Sequence, residues 1–234
     1  MKAYNLLTTG FFCVLFANIS SCTSSEIGNS KDVAPETIYQ QYLISYKEGE
    51  ENATFNAQFR FAGENGTTLV LTRPSSIELD GVIMDVDSSD FEGAFYKKSI
   101  PFTNFCDHHF TFTDINHMKY DNKFSFNPIQ LSTIPETASN NHPLHIQYLP
   151  GKLGPADYIE IQSLETDSSF NITHSGKDTD QFISISAEEI KRQKGDQLKL
   201  AVTYHKKIDL QQNTKEGGAL EIVYVLKPVT IKLR

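Results

Sequence analysis

The chain is predicted to be all-β, with two tandem immunoglobulin-like β-sandwich domains behind a signal peptide and a flexible tether. Three observations predict this. Apolar residues recur at every second position in many short runs. Gly, Asn, Asp and Pro clusters separate those runs at roughly 8–12-residue spacing, as in sandwiches. No amphipathic helix longer than two turns is legible, and only Ala187 to Lys191 reads as a single helical turn.

Residues 1–21 read as a secretory signal. Lys2 is the positive start, and Leu6 to Ala17 is an apolar stretch broken only by Thr8, Thr9 and Gly10. It is shorter than the about 20 apolar residues that span a bilayer. Residues 22–37 read as a tether, because Thr23 to Thr37 is rich in Ser, Glu, Asn and Asp and has no apolar period. The first sandwich is expected over 38–131. Tyr42, Ile44 and Tyr46 alternate with Leu43, Ser45 and Lys47, and Phe55, Ala57, Phe59 and Phe61 alternate with Asn56, Gln58 and Arg60. Gly63 to Gly66 makes a turn before Leu69 and Leu71. Ile77 and Leu79 then lead through Asp80-Gly81 into Val82, Met84 and Val86. An Asp-Gly pair between alternating runs is a strong hairpin signal. Ala94 to Lys98, His108 to Thr113 and Lys123 to Phe126 complete this half.

Ser132 to Pro143 is turn-rich, holds two prolines and is the expected linker, 132–143. The second sandwich is expected over 144–234. Its strands are Leu144 to Leu149, Tyr158 to Leu164, Ser169 to Thr173 and Phe182 to Ser186. After them Leu198, Leu200, Val202 and Tyr204 point one way, as do Leu220, Ile222, Tyr224 and Leu226, and then Val229, Ile231 and Leu233. Each half has about 95 residues, an immunoglobulin-like size. A single larger sandwich or jelly roll is the alternative.

Composition excludes several function classes. With 21 Lys+Arg against 29 Asp+Glu the formal charge is −8, and no basic block exists, so nucleic acid is not an expected partner. No G-x-S-x-G, Walker, G-x-G-x-x-G, H-E-x-x-H or C-x-x-C signature occurs. Of three cysteines, cleavage before Cys22 leaves two, Cys22 and Cys106. If Cys22 is modified at sulfur, no intramolecular disulfide can form.

Three constellations are candidates for chemistry. Cys106, His108 and His109, with His117 and Met118 downstream, resemble the His, Cys, His and Met set of blue-copper proteins. No histidine precedes Cys106 in this half and the gap to Met118 is long, so the expectation is no metal, with Cys106 packed among Phe105, Phe110 and Phe112. Asp85, Asp87, Asp90 and Glu92 form the densest acidic run. Six to eight such oxygens would hold Ca²⁺, but the spacing is not that of an EF-hand, and a solvated acidic turn is the competing reading. Tyr158, Glu160 and Gln162 share one side of their strand, opposite Ile159 and Ile161, and form a candidate glycan-binding face; an ordinary polar outer face is its alternative. No catalytic residue and no cofactor is expected.

Ile19-Ser20-Ser21-Cys22 resembles the lipobox of bacterial lipoproteins: an aliphatic residue at −3, small residues at −2 and −1, and Cys at +1. The alternative is an ordinary secretory signal cleaved nearby, with Cys22 incidental. The lipobox resemblance implies cleavage after Ser21 and lipid attachment at Cys22. Each buried methylene contributes about 0.8 kcal/mol, and two or three acyl chains anchor stably where one does not. The Ser/Asn-rich tether and acidic, aromatic body are similar to lipoproteins of Bacteroidota. The expectation is therefore a lipid-anchored cell-envelope protein of the outer membrane, with a non-catalytic binding or structural role toward a protein or a glycan. The alternative is an envelope- or glycan-acting hydrolase, which would need two carboxylates facing each other across a groove at about 5–9.5 Å. Cys22→Ser should yield an unacylated chain that is uncleaved or released from membranes. Mass spectrometry of the native N-terminus checks this, and a mature terminus elsewhere without acyl mass refutes it.

Overall fold

A computed structural model of the chain describes residues 26–89, 92–102, 107–125, 128–149, 152–165, 169–178 and 180–234. In the first half the strands are β1 (Ile27–Asn29), β2 (Ile38–Lys47), β3 (Asn52–Phe61), β4 (Thr68–Val70), β5 (Ser76–Leu79), β6 (Val82–Ile83), β7 (Val86–Ser89), β8 (Gly93–Pro101), β9 (Asp107–Thr113) and β10 (Lys119–Ser125). In the second they are β11 (Gln130–Thr133), β12 (Thr137–Ala138), β13 (Leu144–Leu149), β14 (Tyr158–Ser163), β15 (Asn171–Ser175), β16 (Phe182–Ile185), β17 (Gln197–Ile208), β18 (Gly218–Val225) and β19 (Val229–Leu233). The expected helical turn is α1 (Ala187–Lys191), whose N-terminus is closed by a Ser186–Glu189 capping box.

Alternation sets the faces. Along β2 and β3 the residues Tyr42, Ile44, Tyr46, Phe55, Ala57 and Phe59 are buried, while their intervening neighbours are half-buried or exposed. Asp80 and Gly81 both take positive φ, 52° and 77°, between the paired residues Leu79 and Val82. This is the backbone of a two-residue type I′ hairpin, and it explains why Asp-Gly stands there. Two readings need correction. Val82 and Val86 are exposed and only Met84 between them is buried, because β6 ends after two residues and the chain bends between β6 and β7. Phe61 is exposed at the end of β3, where the next residue, Ala62, turns at φ 59°.

Among the described residues the strands form one twelve-stranded sheet and two small ones. The large sheet runs β1-β4-β3-β2-β18-β17-β14-β15, with β7, β8, β12 and β19 joined beside that path. The order β10-β9-β5-β6 makes the second sheet and β11-β13-β16 the third. The decisive pairing is parallel: β18 runs beside β2 from Gly218↔Gln40 to Val225↔Lys47. Gly218 permits it, since a Cβ there would collide with the Gln40 carbonyl oxygen. One sheet therefore takes strands from both expected spans, 38–131 and 144–234. The expected linker 132–143 is also part of the fold. Within it β12 pairs in parallel with β19, and Ala138 is buried. The expected tether 22–37 is shorter than predicted, too. β1 pairs with β4, Ser30 is fully buried, and its hydroxyl accepts from the Thr72 amide at 2.8 Å. Local composition misled here, because polar residues with short-range turns can be held by a distant strand. Residues 22–25 lie outside the described residues.

The small sheets cover the inner face of the large one. Tyr42 of β2 stacks on Phe110 of β9 at 4.5 Å, and Phe59 of β3 meets Phe112 at 4.6 Å. Phe55, Phe110 and Phe124 continue this aromatic layer. In the other half Ile146, Ile183 and Ile185 face Ile159, Ile161, Leu200 and Val202, and all belong to one buried cluster with the first half. A second tie joins the halves at the β10 edge. Gln211, in the loop between β17 and β18, accepts from the Lys123 amide at 2.9 Å and donates to its carbonyl at 2.7 Å, so one side-chain amide completes the ladder as a strand would. Gln212 accepts from the Asp121 amide and exchanges two bonds with Asn122. Covering an edge this way removes a template for aggregation.

One sheet and one core should unfold as one unit. Phe110→Ala is expected to cost about 3–5 kcal/mol, and to shift the urea transition of a probe placed near Tyr204 in the second half equally. Two separate transitions, with the second half unmoved, would restore the two-domain reading.

Candidate functional site

The face carrying Tyr158, Glu160 and Gln162 is the outer face of the large sheet at its β15 end. β14 lies between β15 and β17, and its inward residues Ile159 and Ile161 are fully buried. Alternation therefore turns Tyr158, Glu160 and Gln162 outward. Register decides their neighbours. Tyr158 sits between Ser175 and His205, Glu160 between Thr173 and Thr203, and Gln162 between Asn171 and Ala201. On the far side of β17, Lys207 is level with Glu221 of β18.

The cluster is tightly organised. The Tyr158 and His205 rings lie parallel, 4.3 Å apart at 5°. His205 Nδ1 is 2.8 Å from Glu221 Oε1, and its Nε2 is 3.8 Å from Glu160 Oε2. A carboxylate only accepts, so His205 Nδ1 carries a proton and donates it to Glu221. His205 Nε2 is buried and has no hydrogen-bond partner among the described residues. Tyr158 donates its hydroxyl toward Glu221 Oε1 at 3.5 Å, and Lys207 Nζ stands 5.7 Å from the Tyr158 ring centre. Burial, then the charges of Glu221 and Glu160, hold the Tyr158 phenol above its ordinary pKa, so it stays a donor. The hydrogen bond from His205 holds the Glu221 carboxyl below the usual range, against its own burial; the His205 and Lys207 charges add to it.

Asp157 fixes this arrangement from beneath. It is buried and accepts from the Tyr204 hydroxyl at 2.9 Å, the Gly154 amide at 3.0 Å and the Lys207 amide at 3.2 Å. The two residues it grips on β17 bracket His205 and Lys206. Burial and Asp157 push the Tyr204 phenol far up, so it remains a donor. His205, Lys207, Glu221 and Asp157 were not found from sequence. Alternation does mark His205, Lys207 and Glu221 as outward, but nothing local says that β17 and β18 lie beside β14.

His205 covers one face of Tyr158, while the residue across from it on β15 is the small Ser175, at the sheet edge. Glu160, Gln162, Thr173 and Asn171 supply carboxylate, amide and hydroxyl groups on the same stretch of β14 and β15. The arrangement suits capture of a ligand with an apolar face and flanking hydroxyls.

The other sequence candidates are placed differently. Asp80 holds both histidines of the Cys106 cluster: its Oδ2 is 2.7 Å from His108 Nδ1, and its Oδ1 accepts from the His109 amide at 2.9 Å. His108 also lies against Phe55 and Phe124. His117 and Met118 sit in the turn at the other end of the β9–β10 hairpin, where Asp114 accepts from the Met118 amide. The fold thus does not bring His108 together with His117 and Met118. Of the acidic run, Asp85 and Asp87 are exposed, Asp87 accepts from the Ser88 amide, and the Glu92 carbonyl accepts from Gln58. Asp90, Cys106, Ser21 and Cys22 lie outside the described residues. Among the described residues no group of three His, Cys, Asp or Glu side chains converges as a metal site. A chain that sequence did not reveal links the buried Tyr148 and His174 to the exposed Asp178. Tyr148 Oη is 2.9 Å from His174 Nε2, and His174 Nδ1 is 3.5 Å from Asp178 Oδ2.

No family model matches the chain, and no curated protein matches it. Among solved structures it is similar to SGBP-B of a Bacteroides ovatus mixed-linkage glucan utilization locus, in complex with a mixed-linkage heptasaccharide. The likeness covers 86% of this chain and 65% of that one, at 10% identity and a TM-score of 0.22. At that TM-score it carries no argument, and the functional reading rests on the chain's own residues.

A carboxylate depressed by folding stabilises the fold above its unfolded pKa, and that stabilisation is lost as pH falls through the depressed value. The urea midpoints of wild type and Glu221→Gln should therefore differ by a constant amount above about pH 5 and converge below about pH 4. A difference that grows as pH falls would refute the His205–Glu221 bond.

Proposed function

We propose that this protein is a non-catalytic glycan-binding protein of a bacterial cell envelope, held to the membrane by lipid on Cys22. The observation that carries the glycan reading is the half-buried Tyr158 ring, held parallel against His205 and set across from the small Ser175 of the edge strand β15. A sugar ring stacks on such a face through its C–H groups, and burial of aromatic surface supplies most of the affinity. Glu160, Gln162 and Thr173 stand where they can receive or donate hydrogen bonds to hydroxyls. Polar groups placed around an apolar platform give orientation and specificity.

What the carboxylates of this face do supports binding without turnover there. Glu221 is engaged by His205 and Tyr158, and Glu160 lies against the same imidazole. A glycosidase needs its two carboxyls free to face each other across a scissile bond. The membrane reading rests on the lipobox, and among the described residues no helix is long and apolar enough to cross a membrane.

Affinity electrophoresis in gels containing soluble neutral polysaccharides tests the binding. At least one polysaccharide should retard the full chain. Tyr158→Ala should weaken that retardation about tenfold or more, a change of about 1.4 kcal/mol. Retardation unchanged in Tyr158→Ala refutes this face, and release of reducing sugar by the wild-type chain refutes the non-catalytic reading.

A further inference from the structure

A second surface has the form of a binding groove and is independent of the Tyr158 face. It lies where the twelve-stranded sheet and the β10-β9-β5-β6 sheet part at one end. The large sheet contributes Leu71 and Tyr96, the small sheet Ile77, and the bend between β6 and β7 contributes Met84 and Asp85. The segment Arg73-Pro74-Ser75 closes one side. The groove is open to solvent and has a volume of about 690 Å³, within the size of small-molecule sites.

Three features point to a ligand. Ser75 is buried, only 4% exposed, and its hydroxyl has no hydrogen-bond partner among the described residues. Such orphans in native proteins call for an explanation. The rim carries Ile83 and Val86, which are 63% and 48% exposed. Apolar surface left in water beside a concave apolar floor is what a bound group would cover. The rim also carries two opposite charges, Arg73 and Asp85, and neither has an ion-pair or side-chain hydrogen-bond partner among the described residues. The Tyr96 hydroxyl accepts from the Leu71 amide at 2.7 Å.

We infer that this groove binds a short apolar peptide with free termini. Its terminal carboxylate would meet the Arg73 guanidinium, which matches a carboxylate with two parallel donors. Its terminal ammonium would meet Asp85. Its aliphatic side chains would cover Ile77 and Met84 together with the exposed Ile83 and Val86, and its amide would satisfy Ser75. Paired opposite charges disfavour a purely anionic amphiphile.

Calorimetric titration of the full chain with dileucine tests this. Saturable binding is expected. Blocking the peptide carboxylate as an amide should weaken it about tenfold or more in wild type, but less than about twofold in Arg73→Gln. Acetylating the amine should show the same pattern against Asp85→Asn. Ser75→Ala should weaken all three peptides alike, and Tyr158→Ala should leave all of them unchanged. Circular dichroism confirms that each variant is folded. No saturable binding up to about 10 mM, a free energy weaker than about 3 kcal/mol, overturns the inference. So does equal binding of dileucine and its amide by wild type.

Discussion

The parallel ladder between β2 and β18 is the constraint on which the rest of the molecule depends. β2 belongs to the start of the described chain and β18 to its end, so a parallel pairing between them obliges everything in between to form a long crossover. Both small sheets are built inside that crossover. Once β18 is in register with β2, β17 and β14 follow by antiparallel pairing, and β3 and β8 extend the sheet the other way. The inner face of this one layer is then wide enough to need two covers, and the β10-β9-β5-β6 and β11-β13-β16 sheets provide them. Pairings so distant in sequence carry a loop-closure cost before they return any contact energy, which places this fold among the slow-folding topologies.

The same seam assembles the outer face. Tyr158 comes from β14, His205 and Lys207 from β17, and Glu221 from β18. Their distances follow from strand spacing and register, so they are set by the backbone more than by side-chain freedom. The buried Asp157 then removes the slack at the end of β17. A carboxylate with three hydrogen bonds in a buried position is costly to disturb, because removing any partner leaves charge unsatisfied. The face is thus preorganised, which lowers the ordering cost that a weak, extended ligand would otherwise have to overcome.

Edges receive equal attention. Open sheets invite pairing with other chains, and this sheet system has several ends. The β10 edge is capped by the glutamine side chains Gln211 and Gln212, which imitate a neighbouring strand. β1, drawn from a segment with no strand-like pattern, covers β4. These caps explain how polar stretches without periodicity become part of the fold: their own apolar content would not hold them, and the unpaired backbone groups of a neighbour do.

The sequence by itself determined the fold class, the inward and outward faces of most strands, the Asp80-Gly81 hairpin, the short α1 turn and the outward placement of Tyr158, Glu160 and Gln162. All of these are local. Period-two alternation, turn chemistry at positive φ and a capping box each act within a few residues and leave a mark in the chain that can be read directly. Only the tertiary structure decided that Thr137 and Ala138 pair with β19, that Ile27 to Asn29 pair with β4, and that His205, Glu221 and Lys207 surround Tyr158. It also decided that His108 is parted from His117 and Met118, which seven residues of hairpin register carry to opposite ends. The physical reason is that strand pairing is made by backbone amides and carbonyls, which are the same in every residue. Alternation says which way a side chain points, but the partner strand is chosen by the collective burial of faces far apart in the chain.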